Sequence, residues 1–555
     1  MATRDLPKSF RDLAIGWIDK IPKEVTITPA GRLRLRSQIE QKELEHRERA
    51  RENGEIDDDD ELTRKNMGKV NKKNLWNAFV SGAGLFSDGY VNNSVSTVNT
   101  CLKTLYGTTY TDSRAISNIS AIVFVGTIVG QLSFGYISDH MSRKQGMMIA
   151  NTMLIIFTLL CAVGTWGKNG SPQGLFAALT VFRFFLGIAI GAEYPTSSVI
   201  ASEFANELPA GKRNRYFCWF TNFCIDVGFV VSAFVPLVCL WIFSDHHLTA
   251  VWRVSLGLGC IPPLALFFLR LKMSESSSFK KHSVRSAKKF PWWQVVKFYW
   301  FRLTVVSLIW FIYDFSTYSF STYSSYILSE IVPGDDLYKN FGWNVVFNLF
   351  YIPGAFLGCL SADYIGPRLT IAGALVIQSS ISFAMASHYP TLKKHIASFV
   401  VVFGFQQTFG EFGPGDNIGL LAAKTSCTTV RGSYYAIAAA VGKIGAFVGT
   451  YIFPIIMSNA SKVSADWEMQ APFFVSAALC MFSAFLALFL CPTVDQDAID
   501  NEDAAFIAYL KDQGYDLHNM GDGTVSEVVD DETSEEEAVK NKQDVQVDTN
   551  SKKSL

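Results

Sequence analysis

Residues 135–144 read GYISDHMSRK, and residues 361–368 read SADYIGPR. Each stretch ends an apolar run and sets an aspartate (Asp139, Asp363) a few residues before an arginine (Arg143, Arg368). One such turn says little about a fold. Two of them, at corresponding places in the two halves of a chain, indicate a duplicated unit of membrane helices in parallel repeat.

The flanking sequence supports this reading. The 555 residues are 49% hydrophobic and 14% aromatic, with only 18% charged residues and 44 phenylalanines. A spanning helix needs roughly 20 mostly apolar residues. By that standard the chain offers about twelve candidate spans, from 76–98 to 470–491. The first is the weakest because it carries Asp88, Asn92, Asn93 and Asn99. The longest connection, 272–298, is rich in Lys, Arg and Ser and divides the spans six and six. Basic loops stay in the cytoplasm, which puts this loop and both termini there. The expected fold is therefore an all-α membrane protein of twelve helices, two six-helix halves around a central cavity. The expected organisation is a largely disordered tail over 1–73, one half over 74–271, the basic loop 272–298, the other half over 299–491, and an acidic tail over 492–555.

Charge is unevenly spread. Residues 492–555 hold 17 acids against 5 bases, so the rest of the chain is strongly positive. A positive membrane body suits an anionic substrate as well as basic cytoplasmic loops. The ten cysteines form no CxxC pair and read as core thiols. The chain has no phosphate-cradling loop, no HExxH and no nucleophile elbow, so neither enzyme chemistry nor a metal or other cofactor is expected. No nucleic-acid partner is expected.

An ionisable group at membrane depth costs several kcal/mol unless it faces a cavity or a partner. Such groups are therefore the candidate site. Asp88 and Asn92 lie four apart on helix one. Arg183 and Glu193 belong to helix four, in RFFLGIAIGAEYPTSS, where Gly187 and Gly191 prepare one face for close packing and Pro195 prepares a bend. Asp226 is on helix five. Trp310, Asp314 and Tyr318 share a face of helix seven. Glu411, Asp416 and Asn417 are on helix ten, and Lys443 on helix eleven. Acids with one or two bases, spread over both halves, suit a coupled transporter.

The GYISDHMSRK turn resembles the loop signature of the major facilitator superfamily, with Gly135 present and Ser142 in place of its second glycine. Together with SDGYVNNSVSTVN (87–99), GAEYPTSS (191–198), FYWFRL (298–303), FIYDF (311–315), FGPGDNIG (412–419) and VRGSYYAIAAAVGKIGAFVG (430–449), the chain looks like the fungal glycerophosphodiester permeases. The resemblance extends into FIAYLKDQGYDLHNMG (506–521). It implies proton-coupled uptake of glycerophosphoinositol or glycerophosphocholine at the plasma membrane by a monomer. Related phosphate:proton symporters imply roles for matching residues. Lys443 would contact the anion, with Arg183 second. Asp88, Glu193 and Asp314, joined by Asp226, would form the proton-coupling and gating set. Glu411 and Asp416 depart from the asparagines of the phosphate symporters and would meet sugar hydroxyls or a choline cation. Tyr194, Trp310 and Tyr318 would line the substrate with Asn92 and Asn417. An inorganic phosphate symporter and a nutrient sensor are the competing expectations.

Overall fold

The computed structural model describes residues 7–52 and 72–516, apart from 112, 141–142, 207, 209–210, 274–290, 330, 332–335 and 496. Ser142, most of the basic central loop and the acidic run near the C-terminus fall outside the described residues. Among the described residues all regular structure is helical.

Ten helices among the described residues are long and apolar enough to cross a membrane. Two further segments complete the twelve. Helix one runs Lys72–Gly82, Ala83–Leu85 and Phe86–Tyr106. Its polar residues lower its hydropathy, but they are buried among other helices rather than turned to lipid. The Asn93 amide, for instance, donates to Phe229 O of helix five at 2.9 Å and to Asn348 Oδ1 of helix eight at 2.9 Å. Helix ten is divided into Ile396–Gly410, a π turn at Glu411–Gly415, and Asp416–Lys424.

Helix four carries a matching π turn at Tyr194–Ser198, between Pro172–Glu193 and Val199–Asn206. Proline supplies no N–H and interrupts the helical ladder, and a π turn absorbs the interruption. Pro195 sits in the first turn and Pro414 in the second. Side chains satisfy the disturbed carbonyls, as burial in a membrane requires. Ser138 donates to Pro195 O at 3.1 Å, and Asn417 donates to Gly413 O at 3.0 Å. The π turn at Pro195 thus has a counterpart in the other half.

Helix two (Ala115–His140) lies against helix four and against helix eleven (Arg431–Ala460). The first approach needs glycine: a Cβ on Gly187 would stand 2.1 Å from Val123 O. Contacts between the halves run through helices two and eleven, five (Arg213–Phe220, Asn222–Phe243) and eight (Leu337–Leu349, Tyr351–Tyr364), and one and seven (Trp292–Thr322).

Among the described residues both tails contain helices. Phe10–Glu24 and Pro29–Glu52 are helical, as is Ala498–Asp512. Specific partners pin them to the body. Glu24 meets Arg368 at 2.9 Å with both side chains fully buried, and Glu502 meets Arg302 at 2.7 Å. Hydropathy cannot detect such docking, because it depends on a few charged pairs.

Candidate functional site

Lys443 is buried at the meeting of the two halves. Its ammonium lies 3.3 Å from Asp314 Oδ2 and 3.8 Å from Asp88 Oδ2, and donates to the Tyr318 hydroxyl at 2.5 Å. It also sits 3.8 Å above the Tyr318 ring centroid and 5.2 Å from that of Tyr194, where cation–π attraction adds to the hold. The two acids are partnered differently. Asp88 accepts from Asn92 Nδ2 at 2.5 Å, from the Tyr318 hydroxyl at 3.0 Å, and from the Tyr194 hydroxyl. Asp314 Oδ2 has Lys443 beside it but no well-aligned hydrogen bond.

Lys443, Asp314, Tyr318 and Tyr194 wall a chamber of about 30 Å³ that also touches Trp310, Asp226 and Glu411, while Asp88 and the expected substrate residue Asn92 lie behind it. Pockets that enclose a small organic ligand start near ~300 Å³. The chamber is therefore too small in this conformation to enclose such a ligand. A larger vestibule, about 790 Å³, opens between helices one, two, seven and eight and the turn at Asp245, at the end remote from the termini. Neutral hydroxyls separate vestibule and chamber: Ser96 meets Ser324 at 3.1 Å and Thr100 meets Ser325 at 2.9 Å.

The opposite barrier, on the face bearing both termini, is ionic. The Asp139 carboxylate accepts from Gly432 N at 3.0 Å and from Ser433 N at 2.7 Å, capping helix eleven from the other half. The second copy does the same in reverse: Asp363 accepts from Asn214 N at 3.2 Å and from Arg215 N at 3.3 Å at the start of helix five. Gly135 permits the first approach, since a Cβ there would stand 2.3 Å from that of Ala436. Arg143 pairs with Glu203, which also holds Arg431 at 3.4 Å. Arg368 pairs with Glu24 of the N-terminal segment and donates to Leu488 O at 2.7 Å in its own half. Removing Glu203 as Glu203→Gln leaves two buried guanidinium groups without their shared carboxylate. Breaking a buried pair costs roughly 3–5 kcal/mol. The expected outcome is a loosened barrier, read as faster thiol modification of Cys427, which is buried on that face. An unchanged modification rate would mean that Glu203 does not hold the barrier shut.

Several expected site residues lie elsewhere. Glu193 does not face the chamber. Successive helical residues point about 100° apart, and Tyr194 takes the chamber side. Glu193 instead receives Arg270 Nη1 at 2.6 Å and Nη2 at 2.8 Å, together with the Ser197 hydroxyl. Arg270 also donates to Ser81 O at 2.9 Å. The pair thus ties helices one, four and six (Leu248–Leu258, Ile261–Leu271) within one half. Arg183, the expected second anion ligand, donates to Ile119 O of helix two at 2.7 Å and lies outside the chamber. Asp416 points at Gly358 of helix eight, and Asn417 is spent on the π-turn carbonyls. Arg270, Glu203 and Glu24 were missed. Each stands at a helix end or in a tail, where charge is ordinary, and no sequence signal announces its buried partner.

Comparison with known proteins agrees with this architecture. The family model of the sugar (and other) transporters matches residues 76–290 and 277–502. The major glycerophosphoinositol permease GIT3 of Candida albicans is 59% identical over 99% of this chain and 100% of its own length. The glycerophosphocholine permease GIT4 of the same organism is 58% identical over 96% of each chain. Among solved structures, the proton:xylose symporter XylE bound to 6-bromo-6-deoxy-D-glucose superposes with a TM-score of 0.65 at 16% identity, covering 79% of this chain and 100% of its own. Sequence and fold place this chain in one group: it belongs to the sugar (and other) transporter family of the major facilitator superfamily, in the branch of the glycerophosphodiester permeases.

Proposed function

We propose that this protein carries glycerophosphodiesters into the cell with protons, by alternating access, as a monomer in the plasma membrane with both termini in the cytoplasm. The observation that supports this reading best is Lys443 buried between Asp88 and Asp314. One ammonium cannot neutralise two carboxylates and an incoming phosphodiester at once. The substrate must displace a carboxylate, and the displaced carboxylate must then take up a proton, because an unpaired charge at this depth costs several kcal/mol. Asp88 keeps its tyrosine and asparagine donors when Lys443 turns away. Asp314 has no such set, so the proton is assigned to Asp314. Substrate and proton therefore bind together and leave together.

The energetics require this coupling. Moving an anion inward against the membrane potential costs about 2.3 kcal/mol per charge per 100 mV. Carrying one proton with each phosphodiester charge removes this cost and leaves the pH gradient to drive uptake. The vestibule gives the substrate its outer approach, and the hydroxyl barrier is the weaker gate, since a neutral hydrogen bond contributes only about 0.5–1.5 kcal/mol. The ionic barrier on the cytoplasmic face stays shut until the site is filled. The π turns at Pro195 and Pro414 are where helices four and ten flex.

The test is uptake of labelled glycerophosphoinositol and glycerophosphocholine into cells lacking their own carriers, at acidic and neutral pH, with and without an uncoupler. Acid-stimulated, uncoupler-sensitive uptake of either compound is expected. Uptake of inorganic phosphate alone would replace this reading with the phosphate symporter.

A further inference from the structure

The chamber has a second polar end that charge compensation at Lys443 does not use. Asp226 of helix five and Glu411 in the π turn of helix ten wall the same space as Lys443. Both are buried, at 1% and 4% exposure. Among the described residues neither forms an ion pair. Glu411 Oε1 accepts from the Tyr313 hydroxyl at 2.8 Å. Asp226 Oδ2 has no hydrogen-bond partner. The two carboxyls also hydrogen-bond to each other across the halves, and together they still offer a ligand acceptor oxygens, Asp226 Oδ2 among them.

We infer that Asp226 and Glu411 form a subsite for the polyol portion of the phosphodiester, whose hydroxyls donate to these carboxyl oxygens while the phosphate lies at Lys443. The inference rests on the transport reading above. The chemistry favours hydroxyls over a quaternary ammonium, because a trimethylammonium group has no O–H or N–H to offer an orphan acceptor. The placement also gives the subsite a mechanical consequence. Asp226 belongs to one half and Glu411 to the other, and Asn222 already crosses between them to Gly415 O. A polyol bonded to both carboxyls adds to the ties that hold helices five and ten together. Recognition of the head group is thereby linked to closure, and inorganic phosphate, which lacks a polyol, cannot make the bridge.

The test uses the full-length protein in cells lacking endogenous carriers, with the isosteric variants Asp226→Asn and Glu411→Gln. Surface amounts are measured through a tag so that a folding defect in one variant does not decide the outcome. Each substitution turns one carboxyl oxygen into an amide NH2, which removes an acceptor for the polyol hydroxyls and raises KM for glycerophosphoinositol about tenfold. Vmax and acid stimulation are expected to stay near those of the unmodified protein. A rise in KM for glycerophosphocholine as well, through its glycerol hydroxyls, supports the same assignment. An unchanged KM with lost Vmax or lost acid stimulation would overturn it and make the pair proton carriers. A rise confined to glycerophosphocholine would also overturn it, placing a cation there. Uptake of inorganic phosphate alone by the unmodified protein would remove the transport reading itself, before any variant is compared.

Discussion

Lys443→Gln is expected to reduce glycerophosphodiester uptake by at least about a hundredfold, the scale set by leaving buried charges without their partner. Two losses combine. The phosphodiester loses its fixed positive charge, and Asp88 and Asp314 lose the ammonium at 3.8 and 3.3 Å. The second loss also destabilises the protein, and that part is separable. The double variant Lys443→Gln/Asp314→Asn removes one stranded carboxylate and should recover surface expression and melting temperature. It should not recover uptake. Recovery of transport by the double variant would show that Lys443 serves only to neutralise Asp314.

Arg270→Met is expected to cost roughly 3–5 kcal/mol of stability, because it strands Glu193 in a fully buried site. It would appear as a large drop in the melting temperature of the purified protein. The double variant Arg270→Met/Glu193→Gln should regain most of the loss, since replacing both partners of a buried pair is far less costly than removing one. Acid-stimulated uptake should survive in that double variant, because the pair lies within one half and outside the chamber. Loss of acid stimulation with full surface expression would return Glu193 to the proton path.

These two arginine and lysine sites show how far the sequence could be read. Lys443, Asp88 and Asp314 were legible because each interrupts an apolar run at mid-span, where a charge must face a cavity or a partner. The twelve helices and the two halves were legible from span length and the repeated turn. Glu193 was equally visible but was misplaced. Hydrophobic periodicity says that a charge is inward, and not which of several inward directions it takes. Tyr194 beside it claimed the chamber, and the partner, Arg270, ends helix six at a basic boundary where another arginine attracts no notice. Asp416 and Asn417 were misjudged for a related reason. A π turn shifts the facing of every residue after it, and nothing in FGPGDNIG gives the size of that shift. Asp226 and Glu411 lie 185 positions apart in the chain, so only the packing of helix five beside helix ten reveals them as neighbours.

The most direct test of the account is the pH dependence of glycerophosphoinositol binding to the purified protein, compared with that of Asp314→Asn. Binding that requires a carboxyl to take up one proton weakens by up to about tenfold per pH unit once that carboxyl is ionised in the free protein. The account predicts this slope in the unmodified protein, with tightest binding at acidic pH, and a flat profile in Asp314→Asn. A flat profile in the unmodified protein, or the same slope in both, would contradict the exchange of Asp314 for substrate at Lys443.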